Sequence, residues 1–231
     1  MEAETILSMA RTRFPGDAAL LLEQGRALGA TGQYDKALDT FSEGLAVAPQ
    51  NPALLRAASL AAARLGQDER ALDYARAVVG LPEATVGDQV RLASLLERTN
   101  ARPEAVTLYR NALAADPQNW LALNNLANLL TESAPDEAIL LAERAVRLAP
   151  DMPELHDTLG LAQLKAGKLE LAEQTFEAMR AEQPSAALPT YRLGLVRLEQ
   201  GLSDEAHALL QEALTLEPEF SHAEEARQRL K

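Results

Sequence analysis

Between Gly32 and Pro49, apolar residues fall at intervals of three or four: Tyr34, Ala37, Phe41 and Leu45, closed by the proline. That spacing predicts a helix with one apolar face, and the proline predicts its end. The same pattern returns along the chain. Ala3, Ala37, Ala71, Ala105, Ala138, Ala172 and Ala206 are separated by 34, 34, 34, 33, 34 and 34 residues, and Pro15, Pro49, Pro117, Pro150, Pro184 and Pro218 keep the same phase. A fixed period of this length means one supersecondary unit copied several times, each copy burying its apolar face against its neighbours.

The phase divides the chain into a half unit over 1–17, holding a second helix only, then six units over 18–51, 52–85, 86–119, 120–152, 153–186 and 187–220, and a charged capping helix over 221–231. A unit that begins half-formed suggests a segment cut from a longer chain, the alternative being a cap built from one helix. Asn51-Pro52 reads as a helix start, a capping residue before proline at the first helical position. Gly80 and Pro82 are expected to stop the second helix of the second unit early, and Glu83–Gly87 is the place for a bend. Ser133, Pro135, Asp136 and Glu137 read as a cap, a proline and acidic first-turn residues for the helix that follows. Gly32, Gly66, Gly167 and Gly201 fall in turns that need unusual backbone angles.

Composition narrows the class. Of 231 residues, 47% are apolar, 24% charged and only 4% aromatic, with alanine and leucine prominent, which predicts an all-α fold packed through small side chains. A formal net charge of −12 argues against nucleic acid, which requires clustered cations against its phosphates. No apolar run approaches 18 residues, so no membrane span is expected. The first 14 residues carry Glu2 and Glu4 and lack the basic-then-apolar order of a signal peptide. The absence of cysteine removes disulfides and thiolate chemistry and leaves the compartment open, cytoplasmic or otherwise.

With these residues in view, the chain resembles the tetratricopeptide repeat (TPR) family. The family's glycine in the first helix, glycine in the turn, and alanine, aromatic and proline in the second are met at Gly25, Gly32, Tyr34, Ala37, Phe41 and Pro49, and again at Leu159, Gly160, Gly167, Ala172, Phe176 and Pro184. The resemblance implies a right-handed α-solenoid, a superhelix of helix-turn-helix units. A narrower set of strings, Asn124-Asn125-Leu126-Ala127, Ala142-Glu143-Arg144-Ala145, Asp157-Thr158-Leu159-Gly160 and Ala223-Glu224-Glu225-Ala226-Arg227, is similar to bacterial TPR lipoproteins of exopolysaccharide and PEP-CTERM systems. That similarity would place the protein in the periplasm or cell envelope.

In TPR proteins the first helices line a concave groove that holds segments of other proteins. Carried over by position, this implies groove residues Arg26, Arg56, Asn124, Asn128, Asp157, Leu161, Tyr191 and Leu195, with Arg64, Arg91 and Arg98 at the margin. Residues 18–119 carry 10 basic against 12 acidic side chains and 120–231 carry 10 against 19, so the cations of the first half stand in a nearly balanced field. Guanidinium groups there would clamp a carboxylate or an acidic peptide; alternatively they solvate helix surfaces. Amides at Asn124 and Asn128 would bond the main chain of an extended ligand, or be solvated while Asn125 joins units. Leu161, Tyr191 and Leu195 form an apolar stretch suited to a partner helix, to the chain's own tail folding back, or to a second copy in a homodimer.

Catalytic and metal sites are not expected. His156, His207 and His222 share no spacing with one another or with a carboxylate that would bind a metal, and no glycine-rich phosphate loop or nucleophile pattern occurs. The reading is a non-catalytic scaffold without cofactor that binds a protein or peptide segment as an adaptor; the alternative is a structural spacer with no ligand of its own. Because alanine at the phase-marking position permits close helix approach, Ala172→Leu is expected to lower the unfolding free energy by about 1–3 kcal/mol, measured by urea denaturation.

Overall fold

The computed structural model describes residues 16–231. The half unit expected over 1–17 therefore lies, apart from Gly16 and Asp17, outside the described residues. Those described are all-α, thirteen helices without a strand. They divide into two compact units, one running through Pro117 and the other covering Gln118–Lys231.

The first unit contains α1 (Ala18–Ala30), α2 (Tyr34–Val47), α3 (Pro52–Arg64), α4 (Asp68–Val79), α5 (Val86–Arg98) and α6 (Arg102–Ala115). The second contains α7 (Trp120–Leu130), α8 (Pro135–Leu148), α9 (Pro153–Lys165), α10 (Leu169–Glu182), α11 (Ala187–Glu199), α12 (Ser203–Leu216) and the short α13 (Ala223–Arg229). Each odd-numbered helix up to α11 packs against the even-numbered one after it, and successive hairpins within a unit pack in turn, giving a solenoid of helix-turn-helix elements.

Local chemistry sets the helix ends. The Asp17 carboxylate accepts from the amides of Ala19 and Leu20 at 2.8 and 3.2 Å, and the Asn51 amide oxygen from those of Ala53 and Leu54 at 3.0 and 3.1 Å. Thr85 and Asp88 form a capping box at the start of α5. Helix α4 stops at Val79 after 12 residues, where α2, α6, α8, α10 and α12 run for 14, as Gly80 and Pro82 led us to expect. At α8 the expectation needs correction. Ala134, not Ser133, holds the cap position, because Pro135 is itself the first helical residue and the cap is the residue immediately before it; no side chain caps this helix start. The turns use Gly32, Gly66, Gly167 and Gly201 at φ between 71° and 78°, and Asn100 takes the same role at φ 64°.

The core follows the period. Ala37, Ala71, Ala105, Ala138, Ala172 and Ala206 are all fully buried. Four residues further on, a bulky side chain of the second helix presses against a glycine of the first: a Cβ on Gly25 would stand 2.2 Å from Phe41, one on Gly160 2.4 Å from Phe176, and one on Gly194 3.0 Å from Leu210. Where the second helix has only Ala75, the first can carry Ser59, whose hydroxyl donates to the Ala71 carbonyl at 2.9 Å. Size on one helix is thus matched by smallness on the other. Gly29, by contrast, has open space where a Cβ would stand. Gly25→Ala is therefore expected to cost about 1–3 kcal/mol through overpacking on Phe41, whereas Gly29→Ala gains about 0.5–1 kcal/mol from helix propensity, both read from urea midpoints.

Candidate functional site

The first unit has an open cavity of about 420 Å³ on the side of its first helices. Gly29 of α1, where the place of a Cβ is open, and the small Ala53 and Ala57 of α3, one turn apart, are among its walls. Tyr34, Ala37 and Phe41 of α2 close the bottom, and Leu60 stands in the opening with 46% of its surface exposed. Four arginines are also among its lining residues: Arg26 from α1, Arg56 and Arg64 from α3, and Arg91 from α5. The structure thus brings Arg26 and Arg56, placed in the groove from the sequence, together with Arg64 and Arg91, which the sequence put at its margin.

Their surroundings differ. Arg26 pairs with Glu23 at 2.8 Å, both side chains more than half exposed. Arg56 donates through Nε and Nη2 to the two oxygens of Asp88, each at 2.7 Å, and through Nη2 to the Glu83 carbonyl at 3.3 Å. Asp88 is buried and also accepts from the Thr85 amide and hydroxyl at 2.9 and 2.8 Å. Burial raises the Asp88 pKa, but the hydrogen bonds from Arg56 and Thr85 and the Arg56 charge outweigh it and bring the carboxyl down to about 2. Arg56 thereby ties α3 to both the irregular loop after α4 and the first turn of α5. Arg98, also assigned to the margin, pairs with Asp68 at 2.6 Å. Among the described residues, no carboxylate lies within ion-pairing distance of Arg64 or Arg91.

In the second unit, Asn124 and Asn128 of α7 and Asp157 of α9 line one cavity of about 490 Å³, with Glu154, Met179 and Leu188 among its other walls. The amide nitrogen of Asn124 lies 3.4 Å from the Asn125 oxygen, and its own oxygen is buried without a hydrogen-bond partner among the described residues. Asp157 accepts from Nε and Nη2 of Arg192 at 2.7 and 2.9 Å, so its charge is already matched. The Arg192 side chain is only 8% exposed. Sequence reasoning missed both Asp88 and Arg192, although Thr85 followed three residues later by Asp88 is a capping-box spacing.

The apolar stretch is placed differently from the open groove that was one of its expected forms. Tyr191 is fully buried, with Phe220 at 5.5 Å edge-on and His222 stacked at 5.1 Å. Leu195 packs against the same cluster, to which α13 contributes Ala223 and Ala226. The tail covers this face because Phe220 and the alanines of α13 supply the apolar surface that α11 would otherwise expose. Leu161 packs beside the Phe176 cluster. Burial, followed by the nearby Glu225, raises the Tyr191 pKa, and burial with Arg192 lowers that of His222. Among the described residues there is no group of three or more His, Asp or Glu side chains able to hold a metal, and no helix is long and apolar enough to cross a membrane.

Comparison with known proteins bears on the fold and the family. The sequence model of the tetratricopeptide repeat family matches residues 22–84, 90–153 and 158–223. Protein FlbA of Caulobacter vibrioides is 26% identical over 150 residues, 64% of this chain and 25% of FlbA, so the chain spans a quarter of that relative's length. Among solved structures, the APC/C hetero-tetramer Cut9–Hcn1 superposes with a TM-score of 0.75 at 19% identity, over 98% of this chain and 45% of the matched one. A tetratricopeptide repeat protein from Parabacteroides merdae gives 0.71 at 18% identity, over 99% of this chain and 90% of its own.

The Arg56–Asp88 bridge has a definite pH signature. A carboxyl whose folded pKa lies below its unfolded value of 3.8 contributes stability that is complete above that value and is lost as pH falls toward 2. Asp88→Asn should lower the unfolding free energy by about 2 kcal/mol at pH 7, with the difference from the parent chain vanishing between roughly pH 4 and pH 2 in urea denaturation series. A difference that does not vary with pH would contradict this.

Proposed function

The chain belongs to the tetratricopeptide repeat family, and on that premise we propose that it is a protein-binding scaffold whose first unit holds an acidic segment of a partner in the arginine-rimmed cavity. The observation that carries the reading is the combination, in one open cavity, of apolar lining residues with four arginines. Such a site removes an apolar side chain from water while its rim selects negative charge, the division of labour expected of a peptide groove. The chain acts by holding the segment and presenting it, as an adaptor, with no chemistry of its own.

A spacer without a ligand accounts better for the far end of the second unit, where α13, Phe220 and His222 take up the apolar face of α11. The two readings separate by unit: the covered face serves the chain's own stability, and the uncovered cavity serves the partner.

The test is fluorescence anisotropy with a labelled peptide of alternating leucine and glutamate and its leucine–glutamine counterpart. The acidic peptide is expected to bind several-fold more tightly in 50 mM salt, with the preference fading toward 1 M as the screening length shrinks to about 3 Å. Equal binding of the two peptides at low salt would remove the acidic-segment reading.

A further inference from the structure

We propose that Arg64 and Arg91 are the side chains that read the acidic ligand, that the ligand presents its carboxylate next to an apolar side chain, and that Arg56 positions the groove wall without touching the ligand. This rests on the partner-binding reading of the same groove and divides its arginines by what each is free to do.

Arg56 is spoken for. Its fork is filled by both oxygens of Asp88 at 2.7 Å, and that carboxylate is 5% exposed. A ligand that recruited Arg56 would break two charge-assisted bonds and strand a buried carboxylate, a worse exchange than leaving the pair intact. The charge of Arg26 is offset by Glu23 in an exposed pair one helical turn away, so it adds little net field. Arg64, the last residue of α3, and Arg91 on α5 are exposed and, among the described residues, carry no paired carboxylate. The uncompensated positive charge of the cavity is therefore theirs. The same cavity exposes Leu60 and the bare backbone of Gly29, which leaves room for an apolar group alongside the anion.

The role of Arg56 follows from where Asp88 sits. Asp88 lies in the first turn of α5, three residues before Arg91, so the two share one helix face. Holding Asp88 fixes that turn against α3 and with it the place of Arg91 relative to Arg64. An arginine acting by charge alone would be replaceable by lysine; one acting through a planar fork would not.

The experiment uses the full chain and the two labelled peptides named above. Arg64→Gln and Arg91→Gln are each expected to weaken the leucine–glutamate peptide about tenfold and to erase its advantage over the glutamine peptide, with Tm unchanged. Asp88→Asn frees Arg56 and is expected to lower Tm without strengthening the acidic peptide, and Arg56→Lys is expected to behave like Asp88→Asn. In side-chain NMR of the parent chain, the Nε–H signals of Arg64 and Arg91 move on titration and that of Arg56 does not. Parent-like binding by both glutamine variants, or a several-fold gain in Asp88→Asn, would overturn the assignment of readers while leaving the groove in place. If the parent chain bound neither peptide, the groove reading itself would fall, and this assignment with it.

Discussion

The structure depends on how closely the two helices of each hairpin approach. A bulky residue on the second helix needs a residue with almost no side chain opposite it, and Phe41, Phe176 and Leu210 meet Gly25, Gly160 and Gly194. The contact is unforgiving because protein interiors are packed to near-crystalline density and an added methyl group has nowhere to go. It also shapes the surface. First helices kept small for packing are small on their open side as well, with Gly29, Ala53 and Ala57 leaving the concavity of the first unit. Gly29 goes further than packing demands, since nothing occupies the space of its missing Cβ. Its absence of a side chain is a property of the cavity.

Polar bridges add a second constraint. Arg56 to Asp88 joins α3 to α5 in the first unit, and Arg192 to Asp157 joins α11 to α9 in the second, each through two hydrogen bonds. Both link the first helices of successive hairpins, where the packing contact within a hairpin has no reach. Partly buried pairs of this kind are weak sources of net stability, because desolvation consumes most of the attraction. Their fork geometry fixes relative placement, so we assign them to groove alignment more than to folding energy. The exposed pairs, such as Arg76 with Glu104 and Lys168 with Asp136, connect neighbouring hairpins with less consequence.

Much of the fold was legible from the sequence because repetition multiplies a weak signal. One apolar period with a trailing proline is ambiguous; six in phase specify helix pairs, their turns and the early stop of α4 at Val79. The site was legible by position and not by state. Arg26, Arg56 and Arg64 do share one cavity, but the sequence could not tell that Asp88, 32 residues away, had claimed Arg56. Asp157 likewise lines a cavity, while its partner Arg192 went unseen in the sequence. Tyr191 marks the other limit. The family resemblance implied a groove position for it, and only the path of the chain through Phe220 and His222 reveals what lies over it.

The open groove of the first unit is where we propose an acidic segment with an apolar side chain to sit. The most direct measurement is site-specific photocrosslinking from Leu60, whose exposed side chain stands in that opening. A photoreactive residue there, in the full chain within its native cell, should attach to one segment of another protein, and mass spectrometric sequencing should find carboxylates flanking an apolar residue. Attachment to a basic segment, or to a second copy of this chain alone, would contradict the account.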